Sequence, residues 1–192
     1  MHSFLISTLT VSTAELGDKT QLLTLLFAAR FQKPLPIILA IFIATLLNHG
    51  ITTWLGVFFS SFFSPIILHS LLMLSFIITA IWALIPDTLD ESEPKKTKNK
   101  NIFWVVLITF FIAELGDKTQ LITLTLSIQY QTIFWVTLGT TLGMMIANIP
   151  AVFLGKIWCK RLPLQQIRIA SALLFIILAS YEAYQLVQLF NS

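Results

Sequence analysis

Six apolar runs dominate this chain of 192 residues, at roughly 3–29, 36–59, 66–85, 102–128, 133–158 and 167–190. Each is close to or above the about 20 residues needed to cross a hydrocarbon core. Only 11% of the residues are charged, against about a quarter in a soluble domain, so lipid rather than water is the main solvent. The expected fold class is an all-α integral membrane protein with six transmembrane helices. The first run has no Lys or Arg ahead of it and outlasts the short core of a signal peptide, so it reads as a span. Pro34, Pro36, Pro65, Pro86 and Pro163 punctuate the ends of the runs, with Pro94 in a loop. Pro150 lies inside the fifth run, where a kink is tolerated if a neighbour satisfies the loosened backbone.

Outside one repeated motif, Lys and Arg fall in three connections: Arg30 and Lys33, then Lys95, Lys96, Lys98 and Lys100, then Lys156, Lys160, Arg161 and Arg168. The positive-inside bias puts these on the cytoplasmic side and both termini on the outer side. The acidic and basic stretch 87–101 reads as a solvated linker rather than a metal sensor. It divides the chain into a three-helix unit at 1–86 and another at 102–192. The single cysteine, Cys159, excludes an internal disulfide and reads as a bystander.

Glu15 to Leu25 reads ELGDKTQLLTL and Glu114 to Leu124 reads ELGDKTQLITL, an offset of 99 residues. Nearby offsets align Asn48 with Asn148 and Gly56 with Gly155. Three spans per unit is an odd number, so the second unit enters the membrane from the opposite side. Such inverted repeats place a binding site at the midplane of secondary transporters.

The motifs sit in the middle of the first and fourth runs, where each Asp or Lys costs about 2.5 to 3.5 kcal/mol to insert. The first run has eleven Leu, Ile, Phe and Val residues, which return on the order of 3 to 7 kcal/mol, less than its three ionisable residues cost. Anchoring therefore does not explain the motif. On a continuous helix Glu15 and Asp18, and Glu114 and Asp117, share a face at i,i+3. Gly17 and Gly116 allow close approach, or an opening that offers carbonyl oxygens. Thr20, Gln21, Thr119 and Gln120 add neutral oxygens one turn on.

Together these donors suit a hard divalent cation such as Mn, Ca or Mg, since no thiol or imidazole belongs to the motif. Four carboxylates against Lys19 and Lys118 leave two negative charges, which one divalent cation or two protons cancel. Ligands must lose protons to bind metal, so such a site exchanges the two. The competing reading is static glue, with Glu15 and Lys19, and Glu114 and Lys118, as i,i+4 salt bridges; an exact second heptapeptide is more than glue requires. The lysines read as charge compensators, because an ammonium has no lone pair.

Asn48 and Asn148 suit either ligation or an interhelical hydrogen bond. His49 reads as a packing or hydrogen-bonding residue without a counterpart in the second half, and Glu182 as an interfacial residue or a proton exit. Gly139 and Gly143 form a GxxxG packing face, and Phe58 to Phe63 a lipid-facing stretch.

The doubled Glu-x-Gly-Asp-Lys-Thr motif in a six-span chain with a charged central loop resembles the GDT family of cation transporters, which includes bacterial MneA-type manganese exporters and Golgi Mn/Ca transporters. The resemblance covers nearly the whole chain. It implies export of Mn2+, or Mn2+ and Ca2+, from the cytoplasm in exchange for H+, with Glu15, Asp18, Glu114 and Asp117 as the cation site. It also implies a bacterial inner-membrane location, because long loops and a targeting extension are missing. No resident cofactor, enzymatic activity or nucleic-acid partner is expected; the partners are the bilayer and the cation. The alternatives are a passive cation channel that uses the same acids, a six-span amino-acid exporter, and an intramembrane hydrolase with paired acids.

Overall fold

A computed structural model describes residues 1–85, 101–159 and 164–191, with the backbone alone at 154–159, 164, 167, 168, 171 and 191. Residues 87–100, the side chains of the basic residues of the second and third connections, Pro86, Pro94, Pro163 and the side chain of Cys159 lie outside the described residues. Every described element is helical, in the order α1 (His2–Glu15), α2 (Lys19–Phe31), α3 (Pro34–Ser60), α4 (Pro65–Leu84), α5 (Ile102–Glu114), α6 (Lys118–Tyr130), α7 (Ile133–Cys159) and α8 (Leu164–Asn191). The 99-residue repeat thus reappears as α1 to α4 followed by α5 to α8.

Four of these helices are long and apolar enough to cross a bilayer: α3, α4, and the parts of α7 and α8 at Ile133–Phe153 and Ala172–Phe190. Pro34 and Pro65 open α3 and α4 at the first helical turn, where their missing N–H groups have no helical role anyway. The first and fourth apolar runs are different. Each is interrupted at its motif and gives two helices of 13 or 14 residues, too short to cross alone.

Packing is cross-laced between the halves. α1 and α2 lie on α7, α5 and α6 lie on α3, α3 packs on α7, and α4 packs on α8 at the periphery. The outward faces are apolar, with Leu47, Ile51, Trp54, Ile81, Trp104, Ile112, Phe153 and Ile177 all exposed. Phe58, Phe59, Phe62 and Phe63 are exposed too, as a lipid-facing stretch requires. Apolar residues such as Val11, Phe27, Phe76, Phe110, Ile122 and Phe175 fill part of the interior. Thr, Ser, Asn, Gln and ionisable side chains fill much of the rest. A polar interior in an apolar shell is the order expected where lipid is the solvent and helices are joined by hydrogen bonds and close contact.

The GxxxG face fixes one of these contacts. A Cβ on Gly139 would lie 2.6 Å from the carbonyl of Phe4, and one on Gly143 would lie 2.7 Å from that of Thr8. The backbone of α1 therefore rests directly on α7. α7 also runs through Pro150 as one helix. In the turn that the proline loosens, Gln21 Nε2 donates to the carbonyl of Ala147 at 2.8 Å.

Replacement of Gly143 by Leu should force α1 off α7 at an overpacking cost of about 1 to 3 kcal/mol or more, read as a lowered unfolding temperature in detergent. Gly50→Ala is the control. A Cβ there meets only Thr137 Cγ2, at 3.8 Å, and should leave the transition unchanged.

Candidate cation site

The motif explains its own interruption of the helix. In the first copy α1 ends at Glu15, Leu16 turns extended (φ −64°, ψ 115°), Gly17 takes φ 81°, and Asp18 (φ −80°, ψ 167°) is the N-cap of α2. The second copy repeats this at Leu115 (φ −64°, ψ 122°), Gly116 (φ 74°) and Asp117 (φ −79°, ψ 163°). Positive φ at the central position is what glycine accepts without a Cβ penalty. The break leaves backbone donors to satisfy, and the terminal glutamine of the motif does so. Gly17 N–H donates to Gln21 Oε1 at 2.8 Å, and Gly116 N–H to Gln120 Oε1 at 2.7 Å. This is capping-box logic, shifted by one residue and built wholly inside the motif.

The expected i,i+3 face shared by Glu15 and Asp18 does not exist, because the helix is open between them, and the same holds for Glu114 and Asp117. The acids take complementary posts instead. Each Glu closes one half-helix and each Asp opens the next, where the positive end of the helix dipole favours a carboxylate. Neither Asp side chain caps its own helix, so both reach across to the opposite motif.

The i,i+4 pairs considered from the sequence are likewise replaced by crossed ones. Lys118 Nζ lies 2.7 Å from Asp18 Oδ1, and Lys19 Nζ lies 3.6 Å from Asp117 Oδ1. A third bridge runs from Thr119 Oγ1, which donates to Glu15 Oε2 at 3.0 Å. Glu15, Asp18, Glu114, Asp117 and Lys118 are all at most 3% exposed, whereas the Lys19 side chain is 35% exposed.

The neighbouring helices complete the surroundings of the two glutamates. Asn148 Nδ2 of α7 donates to Glu15 Oε1 at 3.4 Å, while its Oδ1 accepts from Thr24 at 2.7 Å. On α3 the equivalent position holds His49, whose Nε2 is 2.8 Å from Glu114 Oε1 with both side chains fully buried. The expectation that Asn48 matches Asn148 and that His49 has no counterpart is therefore corrected. His49 and Asn148 are related by the same 99 residues as Glu114 and Glu15. Asn48 instead accepts from Gln120 Nε2 at 2.9 Å, and Thr52 Oγ1 accepts from the same nitrogen at 3.1 Å. Thr20 is fully buried, and its hydroxyl makes no hydrogen bond to a described residue.

Among the described residues no three His, Cys, Asp or Glu side chains form a cage by themselves; Lys19, Lys118, Thr119 and His49 stand between the acids. A cleft of about 420 Å³ between α3, α4 and α6 reaches Gly116, Asp117 and Gln120. Sequence reasoning placed His49 outside the site because it looked for identical residues rather than identical positions. Thr24, one turn beyond Gln21 on α2, and Thr52, one turn beyond Asn48 on α3, carry no such motif signal.

The sequence model of the family described as divalent cation/proton antiporter GDT1 matches residues 3–91 and 102–188. The chain belongs to this family. A protein of Vibrio cholerae serotype O1 (strain ATCC 39541), named "Putative manganese exporter", is 49% identical over 185 residues, which cover 96% of this chain and 92% of that one. No solved structure matches the chain. The resemblance drawn from the doubled motif is thus borne out, and a helical membrane protein of an antiporter family is established.

The two crossed pairs should differ in strength. Lys118→Met leaves a fully buried Asp18 without its ammonium, and the loss of one partner of a buried pair costs about 3 to 5 kcal/mol. Lys19→Met should cost clearly less, because its head group is already partly hydrated. Thermal unfolding in detergent ranks the two, and adding Asp18→Asn to Lys118→Met should recover most of the loss.

Proposed function

We propose that this antiporter exports Mn2+ from the cytoplasm in exchange for H+, at a single site between the two motifs in the middle of the membrane. The observation that carries the reading is the crossing of the motifs, in which Lys118 meets Asp18, Lys19 meets Asp117 and Thr119 meets Glu15. One cation there is within the domain of both halves at once. The name of the Vibrio cholerae relative supports Mn2+, with Ca2+ as a second substrate of the same oxygen-donor chemistry.

In this reading each broken pair, α1 with α2 and α5 with α6, makes one crossing. Six crossings then arise as two inverted halves, 1–86 and 102–192, with both termini outside and the basic connections on the cytoplasmic side of the bacterial inner membrane. The two-part family match and the repeated order of helices support it. Broken helices at a midplane site are a common device of secondary transporters, because their open ends present carbonyl oxygens and N–H groups to an ion.

The chemistry follows from charge. Glu15, Asp18, Glu114 and Asp117 supply the oxygens, aided by Thr20, Thr119, Asn148 and the last carbonyls of α1 and α5. His49 stands against Glu114, where it can lend a nitrogen to the cation. Lys19 and Lys118 hold the aspartates when no divalent cation does and, when one arrives, shift aside while staying within the site, so that their two charges still count. One Mn2+ or two H+ neutralises the remaining charge, so each form stabilises the site against the other. Release outward follows a shift of the broken helices against α3 and α7. Gln21 and Gln120 hold the breaks open, with Asn48 bracing Gln120.

Inverted membrane vesicles test this. Mn2+ uptake should rise with an imposed acid-inside gradient and collapse when an ionophore dissipates it. Glu15→Gln and Asp117→Asn should each lower gradient-driven uptake by at least about tenfold, the equivalent of about 1.4 kcal/mol. Uptake indifferent to the gradient would identify a channel, and Mn2+ transport intact in both variants would remove the shared site.

A further inference from the structure

Of the nine acids in the chain, four belong to the motifs and four to the linker. The ninth, Glu182 on α8, does not reach the interface as an interfacial residue would. It is fully buried, with His69 Nδ1 of α4 at 2.7 Å from Oε2 and Gln129 Nε2 of α6 donating to Oε1 at 2.8 Å. The His69 side chain is 29% exposed, whereas that of Glu182 is 1% exposed. The pair therefore has an accessible imidazole end and an enclosed carboxylate end.

This cluster breaks the repeat. At the 99-residue offset Glu182 corresponds to Ala83, Gln129 to Arg30, Ser127 to Ala28 and Thr125 to Leu26. Beyond the motif, α6 thus carries buried Thr125 one turn from Gln129 on the same face, where α2 carries Leu26 and Arg30; Thr125 is 3% exposed and its Oγ1 is 2.9 Å from Ser75 Oγ of α4. This face runs from Asp117 past Leu121 and Thr125 to Gln129, about 18 Å along the helix at 1.5 Å per residue, and the cleft beside Asp117 and Leu121 opens on it. An internally symmetric transporter has two equivalent routes to its site; among the described residues the cluster of His69, Glu182 and Gln129 has no counterpart at the 99-residue offset.

We propose that His69 and Glu182 form the proton-loading relay of the outer route. It rests on the proton antiport and topology given above. A proton from outer water binds the imidazole, passes to the Glu182 carboxylate as His69 returns to its neutral form, and leaves Glu182 ionised again when it moves inward past Thr125, Ser75 and the cleft beside Asp117 to the motif acids. Imidazole suits the first step because it takes up and releases protons near neutral pH, and hydroxyls suit the last because each both donates and accepts. The other titratable groups around the pair are Tyr130 on α6 and Tyr181 on α8 itself. α1, which also packs on α8, carries only His2, exposed at its start, and Glu15 of the site. No lysine or arginine among the described residues of these helices competes for the carboxylate except Lys118, which is placed on Asp18.

The relay separates two modes of transport in liposomes containing the purified full-length protein. Mn2+ flux driven by a pH gradient needs protons to load from outside; exchange of Mn2+ for Mn2+ at equal pH does not. Glu182→Gln and His69→Gln should each slow gradient-driven flux by at least about tenfold, as loss of a positioned proton carrier does, and leave Mn2+ for Mn2+ exchange within about twofold. Glu182→Asp should restore part of the gradient-driven flux. An equal fall in both modes would make the pair a structural clamp between α4 and α8, and unchanged gradient-driven flux would also overturn the relay. His69→Gln carries the test if Glu182→Gln does not fold, since its side chain is the accessible one. A wild-type protein without gradient dependence would sink the antiport reading itself, an outcome distinct from a dependent wild type with indifferent variants.

Discussion

Six ionisable side chains are held at the contact between two apolar halves, and everything else in the fold accommodates them. An isolated charge in hydrocarbon is expensive enough that it must be paired or displaced. Here the pairing is crossed: the lysine of one motif answers the aspartate of the other. Neither half has its charges satisfied without its partner, so the interlocking of α1 and α2 with α7, and of α5 and α6 with α3, is an electrostatic requirement as much as a packing preference. The glycines of α7 that admit the backbone of α1 serve the same end. They bring Glu15 up to Asn148 and Thr119, at 3.4 and 3.0 Å.

The broken helix is the second half of that solution. Had α1 continued through the motif, Glu15, Asp18 and Lys19 would project from one continuous cylinder and would tend to satisfy one another locally. With Gly17 at φ 81°, the chain turns away, Asp18 faces the other motif and Lys19 leaves its own glutamate for Asp117. The cost of opening the helix is offset inside the heptapeptide by Gln21, whose carbonyl oxygen takes the Gly17 N–H and whose amide reaches Ala147. Most letters of the motif thus have a physical assignment: Glu and Asp flank the break, Gly permits it, Lys crosses it and Gln caps it, while Thr119, unlike Thr20, ties it to the opposite glutamate.

Much of this was legible in the sequence, and the remainder was hidden for identifiable reasons. Apolar run length gave the membrane class, and the doubled motif gave the family, because both are local patterns. The break was not, since one glycine inside an apolar run is compatible with a continuous helix and with an open one; what decides it is Gln four residues later, which has no fixed meaning alone. Gln32 and Gln131 close α2 and α6 in the left-handed region at φ 52° and 51°, a position where glycine is the usual signal, so these ends carried no recognisable mark either. His49 was missed because it pairs with Glu114 by position and not by identity with Asn148. Glu182 looked like an interfacial acid because one dimension of sequence does not reveal that His69 and Gln129 enclose it.

The departures from symmetry matter more for function than the symmetry. A perfectly repeated protein would present the same chemistry to both faces of the membrane and would have no built-in difference between loading and release. In this chain the Asp18 side of the site is sealed, with Lys118 as buried as the acid it serves, while the Asp117 side is looser, with Lys19 partly exposed at 3.6 Å and a cleft arriving beside it. An ammonium that is partly exposed at 3.6 Å is held less tightly than an enclosed one at 2.7 Å, so the pair of Lys19 with Asp117 is the weaker of the two crossed pairs and the contact between the halves is firmer at Asp18 than at Asp117.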